Sequence, residues 1–273
     1  MNLVHAATLL SIAAVSEHEV SNWRLIDNRT IIPGGSGQLV TDHERKPSEY
    51  YQHSGNVPFA SRLSWRARQA IFERFLDVLC PTRGDRVLDL GVTCDTTFQE
   101  SNFFEQLYPH PQNVTCVGTE DGSHLERAYP GVRFMPVVAG NPLPFPTGHF
   151  DIVFSNAVIE HAGNPQHQRQ FVAEALRVSK RFFLSTPNRW FPVETHTGLP
   201  IVHYLPPPVF RALINRTRFR HWALEAHLNL LTAGSFAALF PPDAGATTEY
   251  QGVGFGLFRS NLVAYGHSAT SVT

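Results

Sequence analysis

The sequence predicts an α/β fold in which a seven-stranded, mostly parallel sheet carries helices on both faces and ends in an antiparallel last strand. From Gly84 onward, short apolar runs alternate with helical patterns, and this alternation is typical of parallel strands joined by right-handed crossovers. The last two strand-like stretches, about 248–255 and 261–265, are joined by a short link. A parallel return needs a dozen or more residues, so the link predicts an antiparallel hairpin.

The five earlier strands are short apolar runs, which is the pattern of parallel strands that are buried on both faces. The clearest are Arg86–Leu90 and Phe150–Phe154. Together, the predicted strands of this part of the sheet cover residues 86–90, 114–118, 134–138, 150–154 and 182–184.

The first helix is predicted from apolar residues that recur at helical spacing. Ile71, Phe75, Val78 and Leu79 would form one stripe along the helix. Ser64 precedes this stripe and is the predicted N-cap, because serine is among the residues that best accept a hydrogen bond from the first free backbone amides.

Three further helices are predicted by the same reasoning. Residues 97–108 carry Phe and Leu at helical spacing. Asn164 followed by Pro165 predicts the start of another helix, since an N-cap residue precedes proline at the first helical position. A shorter helix is predicted near Val209–Asn215.

The domain organisation is predicted from changes in composition along the chain. Residues 1–60 are expected to form an N-terminal helix and an irregular arm, the arm covering the Gly- and Pro-rich residues 25–62. The apolar run Ala6–Val15 favours a helix over a secretory signal, because no basic segment precedes it. Residues 61–273 are expected to form the main domain, with a substrate-side insertion at about 187–230 that is dense in Pro, His and aromatic residues.

Composition and charge exclude several classes of partner. The formal net charge is -1, so the chain lacks the basic excess that attracts nucleic acid or anionic lipid. No run reaches the ~18 apolar residues that a membrane span needs. The three cysteines are widely spaced and form no Cys-x-x-Cys pair. This pattern favours a reducing, cytoplasmic location.

Acidic residues and a glycine follow the first two strands of the predicted sheet. Ligands of open parallel sheets bind beyond the carboxyl ends of the strands. Gly91, directly after the first strand, would allow a tight turn and a close approach of the ligand. Asp89 at the same strand end could hold an ammonium group, and Glu120 after the second strand could accept the hydroxyl groups of a ribose.

These residues begin an ordered set of motifs. The set comprises, in chain order, Val87–Gly91, Val117–Glu120, Leu143–Phe145, Phe150–Val153, Ile159–His161 and Thr186–Arg189. Taken together, it resembles the class I S-adenosylmethionine-dependent methyltransferases of the small-molecule, type 11-like kind, over about residues 60–267. The resemblance implies a Rossmann-like fold, S-adenosylmethionine as cofactor, and transfer of its methyl group to a small molecule or a glycan.

The resemblance also implies which residues contact the cofactor: Asp89, Gly91, Glu120, Asp121, Asn141 and Ser155. The chain departs from the family in the loop after the first strand. Relatives usually carry two further glycines there, whereas Gly91 is followed by Val92-Thr93-Cys94-Asp95. The side chains of Asp95, Ser101 or Asn102 are expected to replace backbone contacts in this loop.

The candidates for activating the methyl acceptor are His161, His196 and His203, with Glu194 as a further candidate. Oxygen is expected as the acceptor atom, ahead of nitrogen or carbon, and a hydroxyl nucleophile needs a base such as histidine. Glu194 would orient a histidine or replace it. No metal is expected, because Glu194, His196 and His203 match no compact ligand spacing. Ala157 also replaces the first acid of a Glu-x-x-Glu-His metal motif that some relatives carry.

Three other functions compete with this prediction. The missing glycines would also suit a protein that kept the fold but lost the cofactor. A nicotinamide-dependent oxidoreductase needs Gly-x-Gly-x-x-Gly, of which only Gly91 is present. Enzymes that methylate amino groups of nucleic acids carry an Asn-Pro-Pro-Tyr-like sequence after the fourth strand, where this chain has Ser155–Val158 and no basic patch.

Overall fold

The computed structural model describes residues 23–26, 30–33, 58–98 and 100–268. Residues 1–39 form one compact unit and residues 40–273 another. In the first unit, β1 (Trp23–Ile26) pairs with β2 (Thr30–Pro33) as an antiparallel hairpin. The predicted irregular arm is therefore wrong at this place, because two short runs of apolar and β-branched residues pair with each other. The predicted helix at Ala6–Val15 lies outside the described residues.

Helix α1 (Pro58–Leu79) opens the described part of the second unit. It begins earlier than the apolar stripe predicted, and proline is favoured in a first helical turn because its amide nitrogen carries no hydrogen. Ser64 lies inside this helix, where its hydroxyl group accepts a hydrogen bond from Arg68, so the N-cap prediction is wrong. The stripe itself is correct, since Ile71, Phe75 and Leu79 are buried.

The sheet of the second unit contains seven strands, as the sequence predicted. They are β3 (Val87–Leu90), β4 (Val114–Gly118), β5 (Arg133–Pro136), β6 (Phe150–Asn156), β7 (Ser179–Pro187), β8 (Thr247–Gln251) and β9 (Asn261–His267). Their order in the sheet is β5-β4-β3-β6-β7-β9-β8. Strand β9 is antiparallel to both of its neighbours, and every other pair is parallel.

The shorter helices connect these strands. They are α2 (Phe103–Leu107), α3 (His124–Ala128), α4 (Pro165–Val178), α5 (Pro207–Ile214) and α6 (Ala233–Ala237). Asn164 caps α4 as predicted, because its side chain accepts hydrogen bonds from the backbone amides of residues 166 and 167. The helix predicted over 97–108 is reduced to α2, because Asn102 adopts a left-handed backbone conformation directly before Phe103.

The hydrophobic core covers both faces of the sheet. On one face, the buried Phe75 of α1 contacts Phe154 and Phe183 edge-on, with ring centroids 5.4 and 5.7 Å apart. On the other face, Val172 and Ala175 of α4 lie in an apolar cluster with residues of β6 and β7. Helices therefore cover both faces of the sheet, and the carboxyl ends of its strands are left open for a ligand site.

The predicted insertion lies between β7 and β8. It contains α5, several single helical turns and an apolar cluster of its own, made of Phe210, Ile214, Phe219, Trp222, Ala223 and Leu228. The amide of Asn188 donates to the carbonyl of Ser260, next to β9, and the amide of Arg189 donates to the carbonyl of Leu231 within the insertion. Among the described residues, no helix is both long and apolar enough for a bilayer.

Candidate functional site

A cavity of about 910 Å³ lies at the carboxyl ends of β3, β4 and β6. This volume is within the range of small-molecule sites, and the position is the one at which open parallel sheets bind ligands. Its wall includes Asp89, Gly91, Glu120 and Asn141 from the predicted cofactor set, and His161, His196 and Glu194 from the predicted catalytic set. The structure therefore brings seven of the ten predicted site residues to one cavity.

Gly91 has a backbone that a side chain would not tolerate. Its φ is +102°, and a Cβ added there would lie 2.3 Å from Cγ2 of Val158. The amides of Gly91 and Val92 both donate to the carbonyl of Val117, at 2.8 and 3.0 Å. The chain thus turns sharply from β3 across the end of β4, and the turn requires glycine.

Side chains hold the loop in which relatives carry further glycines. The side-chain Nδ2 of Asn102 donates to the backbone carbonyl of Thr93 at 2.9 Å, and its Oδ1 accepts from the backbone amide of Thr93 at 3.0 Å. The buried Asp95 accepts from the backbone amides of Thr97 and Phe98 and from the hydroxyl of Ser101. Side-chain hydrogen bonds thus hold the fold of this loop, and the replacement of backbone contacts to the cofactor stays a prediction.

Glu120 lies where β4 ends and contacts the same loop. Its Oε2 accepts hydrogen bonds from the hydroxyl of Thr93 at 3.1 Å and from the amide of Cys94 at 3.3 Å. The carboxylate is therefore oriented at the cavity wall by the loop. Asp121, the next residue, is exposed, does not line the cavity, and accepts from the amide of Ser123.

Ser155 and Asn141 occupy different environments. Ser155 is 2% exposed and does not line the cavity; its hydroxyl donates to the carbonyl of Leu90 at 2.6 Å. This bond ties β6 to the end of β3, which is a structural contact. Asn141 lines the cavity and is exposed. The cofactor roles of both residues remain predictions.

Asp89 is buried beside a second acid, Glu105 of α2, which the sequence analysis missed. Burial, followed by the charge of Glu105, raises the pKa of Asp89 well above its usual range. Burial also raises the pKa of Glu105, and the thiol of Cys116 donates to Glu105 Oε1 at 2.8 Å. The one available signal was an acid directly after two phenylalanines, at a position where helical spacing predicts burial.

This acid pair makes stability depend on pH. Because both pKa values are raised in the folded chain, the folded state binds more protons than the unfolded state, and stability is lost as pH rises above about 4. Between pH 5 and pH 8, the free energy of unfolding of Glu105→Gln should fall by on the order of 1–2 kcal/mol less than that of the wild type. Urea unfolding at both pH values measures this, with the exposed acid Asp243→Asn as control. Equal losses in wild type and Glu105→Gln would contradict the assignment.

Three of the catalytic candidates form a chain of contacts along the cavity wall. Nδ1 of His196 lies 2.7 Å from Oε1 of Glu194, and Nε2 of His196 lies 3.2 Å from Nε2 of His161. Nδ1 of His161 in turn lies 2.6 Å from the backbone carbonyl of His227. Two histidines that are 35 residues apart in the sequence thus meet through their Nε2 atoms.

The pKa values of these groups follow from burial and from their neighbours. Burial lowers the pKa of His161 to about 3. Burial alone would raise the pKa of Glu194, but the charge and hydrogen bonds of His196 lower it to about 2. For His196, the carboxylate of Glu194 outweighs burial and raises the pKa. Glu194 is therefore an ionised partner that orients His196.

Two further residues complete the surroundings of this chain. Glu160 is fully buried, its Oε2 accepts from the hydroxyl of Thr186 at 3.0 Å, and burial raises its pKa to about 7. Glu160 and Thr186 both belong to motifs of the ordered set, but the sequence alone gives neither of them a role at the site. His203 is buried elsewhere, with Nε2 2.9 Å from the carbonyl of Phe191.

Residues 101–181 match the protein family described as a methyltransferase domain. Among solved structures, the chain is similar to a putative methyltransferase of Haloferax volcanii in complex with the Trm112 methyltransferase activator, with 14% identity, 82% of this chain and 99% of that chain covered, and a TM-score of 0.50. It also resembles a possible histamine N-methyltransferase of Thermotoga maritima, with 16% identity, 77% and 91% covered, and a TM-score of 0.46. No curated protein sequence matches the chain.

The chain has the predicted Rossmann-like fold, which it shares with the solved methyltransferase structure at a TM-score of 0.50. Its residues 101–181 match the methyltransferase-domain family, and this match supports the predicted enzyme class and cofactor, S-adenosylmethionine. The solved structures add the fold and no more, because their sequences are distant from this one.

Proposed function

We propose that this chain transfers a methyl group from S-adenosylmethionine to an oxygen of a small molecule or a glycan. The observation that carries the choice of oxygen is the Glu194–His196–His161 chain on the cavity wall. A hydroxyl nucleophile must lose its proton during the reaction, and such a cluster assists this loss. A nitrogen acceptor is less favoured, since a neutral amine needs no proton removed before it attacks. A carbon acceptor is less favoured because a C–H group gives up its proton less readily than a hydroxyl group.

The residues of the first two strand ends fit the cofactor. Bound S-adenosylmethionine supplies a methyl group attached to a sulfonium centre. When the methyl group is transferred, the sulfur leaves as a neutral thioether. The Glu120 carboxylate is oriented at the wall of the cavity, where it can accept hydrogen bonds from ribose hydroxyl groups. Asp89 and Gly91 line the same cavity at the end of β3. We infer that these three residues bind the cofactor, with Asn141 as a further contact.

The acceptor is held by the insertion in this proposal. Glu194 and His196 belong to the insertion, whereas His161 follows β6, so the cluster joins the acceptor side of the cavity to the sheet. The acceptor oxygen forms its bond to the methyl carbon as the carbon–sulfur bond breaks, and the hydroxyl proton leaves to the cluster or to water. The main contribution of the protein is alignment of the reacting atoms.

Two measurements test this proposal. S-adenosylhomocysteine should bind with a dissociation constant in the micromolar range and raise the melting temperature with its concentration, as linkage requires. Release of S-adenosylhomocysteine from S-adenosylmethionine should then be faster with hydroxyl-bearing acceptors than with their amino analogues. Absence of both binding and thermal stabilisation would favour the alternative, a methyltransferase fold without cofactor. Faster turnover with the amino analogues would overturn the choice of oxygen.

A further inference from the structure

We propose that Glu160, His161 and His196 bind a divalent transition-metal ion at the acceptor end of the cavity. One potential ligand atom from each residue lies within 4.8 Å of the others. Glu160 and His161 come from the turn that follows β6, and His196 comes from the insertion. The compact spacing that suggests a metal site is therefore created by the fold, since His196 is 35 residues away from His161 in the sequence.

The hydrogen-bond partners of the two histidines fix which nitrogen carries hydrogen. Nδ1 of His161 faces a backbone carbonyl oxygen, which only accepts, so this Nδ1 must donate. Nδ1 of His196 faces the carboxylate of Glu194, which already accepts from the backbone amides of His196 and Thr197. Both Nδ1 atoms therefore carry a hydrogen, and in the neutral form of each ring the Nε2 atom presents a lone pair.

The two Nε2 atoms lie 3.2 Å apart. Lone pairs at this separation repel each other unless a proton or a cation lies between them. Two ligands of a tetrahedral ion with bonds of about 2.05 Å are about 3.3 Å apart. The separation of the two nitrogens thus matches two ligands of one metal ion.

Glu160 distinguishes a metal ion from a shared proton. Its side chain is fully buried, and its Oε1 has no hydrogen-bond partner among the described residues. This oxygen is 3.8 Å from Nε2 of His161. A proton shared by the two histidines would leave the oxygen unsatisfied, at a cost of about 1–3 kcal/mol. A cation between the three groups satisfies all of them after a small movement of the carboxylate.

Each proposed ligand residue also makes a hydrogen bond through an atom other than its proposed ligand atom. Glu194 accepts from His196, the carbonyl of His227 accepts from His161, and Thr186 donates to the second oxygen of Glu160. Metal-binding histidines in proteins nearly always donate their other ring N–H to a carboxylate or a carbonyl, and this contact raises their affinity for the ion. The cluster has this arrangement at both histidines.

The ligand set selects the kind of ion. Two imidazole nitrogens and one carboxylate oxygen suit Zn²⁺, Co²⁺ or Fe²⁺. Mg²⁺ and Ca²⁺ prefer oxygen ligands throughout. Three protein ligands leave a coordination position open, and the two histidines line the cavity. In a methyltransferase that acts on oxygen, which is the function proposed above, the open position would take the acceptor hydroxyl and lower its pKa, the proton leaving to water.

The metal site is tested first without cofactor or acceptor. Full-length protein freed of metal with a chelator should bind one equivalent of Co²⁺ or Zn²⁺, and bound Co²⁺ should show the visible absorption of a four- or five-coordinate ion with nitrogen ligands. His161→Gln, His196→Gln and Glu160→Gln should each weaken Zn²⁺ binding by at least about 100-fold, and Glu194→Gln by about 10–100-fold. Mg²⁺ should not compete at equal concentration.

The control variant is His267→Gln, which replaces an exposed histidine of β9 outside the cluster and should keep wild-type affinity. Circular dichroism of each variant shows whether it is folded. The proposal is overturned if folded wild-type protein binds no stoichiometric Co²⁺ or Zn²⁺. It is also overturned if the variants of Glu160, His161, His196 and Glu194 all bind Zn²⁺ as tightly as the wild type does. If a variant fails to fold, the cobalt spectrum of the wild type decides, because an ion bound only at surface histidines lacks it.

A second comparison separates this site from the proposed function. Removal of the metal should leave S-adenosylhomocysteine affinity unchanged and lower methyl transfer, and Zn²⁺ or Co²⁺ should restore transfer. Metal binding without S-adenosylhomocysteine binding would overturn the proposed function and leave the metal site standing. Cofactor binding and methyl transfer that persist at wild-type rates in metal-free protein would leave the proposed function standing and overturn the metal's part in the reaction.

Discussion

Replacing His196 by glutamine is expected to lower kcat for methyl transfer by about 100- to 10,000-fold. The side chain loses the imidazole that joins Glu194 to His161, whether the cluster acts as a base or through a bound ion. The affinity for S-adenosylhomocysteine should change by no more than about twofold, because the predicted cofactor residues belong to other loops. Single-turnover kinetics and calorimetric titration of S-adenosylhomocysteine measure the two quantities separately.

The matched control for this variant is His203→Gln. His203 is a buried histidine of the same insertion, but its Nε2 contacts the carbonyl of Phe191 and it lies outside the cluster. It should keep kcat within about threefold of the wild type once the folded fraction is taken into account. A His196→Gln variant with unchanged kcat, or one that loses kcat and cofactor affinity together, would contradict the acceptor-side role of His196.

Replacing Gly91 by alanine is expected to reduce affinity for S-adenosylhomocysteine by about 100-fold, and to lower the melting temperature as well. The new methyl group would lie 2.3 Å from Cγ2 of Val158, and the φ of +102° adds backbone strain. Overpacking of this kind costs about 1–3 kcal/mol. The loop after β3 must move to relieve it, and this loop carries the contacts of Glu120.

Two further variants isolate the cause. Gly148→Ala also introduces a methyl group at a positive φ, but no atom lies within 4 Å of it and the residue does not line the cavity. It should retain wild-type affinity. In the double variant Gly91→Ala/Val158→Ala, the second change makes room for the first, so part of the lost affinity should return. If the double variant binds no better than Gly91→Ala, the clash with Val158 is not the cause.

The sheet could be predicted from the sequence because its signals are local. Each buried strand is a continuous apolar run, and Asn164-Pro165 marks a helix start with two adjacent residues. The antiparallel direction of β9 followed from the length of the link before it. These features depend on neighbouring residues, so one sequence is enough to read them.

The errors in the helix predictions come from side-chain hydrogen bonds and helix boundaries that helical spacing does not predict. The helix predicted over 97–108 was wrong because Asp95 and Asn102 hold the loop in another conformation through their own hydrogen bonds. Ser64 resembled a cap, but α1 continues through it from Pro58. The sequence offered no means of deciding between a helix and these side-chain-held turns.

The sequence could predict which residues belong to the candidate site but not how they are arranged in space. His161, His196 and Glu194 were candidates because of their chemistry, and the insertion was expected to face the substrate. Their meeting through Nε2 atoms depends on how the insertion folds back over the sheet, as does the burial of Glu160. No metal was expected from the sequence because Ala157 replaces the first acid of the metal motif, and His196, the third proposed ligand, comes from a distant segment.

The insertion has an apolar cluster of its own, and this has a consequence for how such enzymes diversify. A segment that buries its own hydrophobic residues, such as Trp222, does not rely on the sheet for its stability in the way that a surface loop does. Residues 199–230, which contain this cluster, could therefore be exchanged between relatives as one cassette, whereas Leu231, Phe236 and Phe240 pack in the core of the sheet and would be retained. Chimaeras with junctions at residues 199 and 230 would then inherit the acceptor range of the cassette.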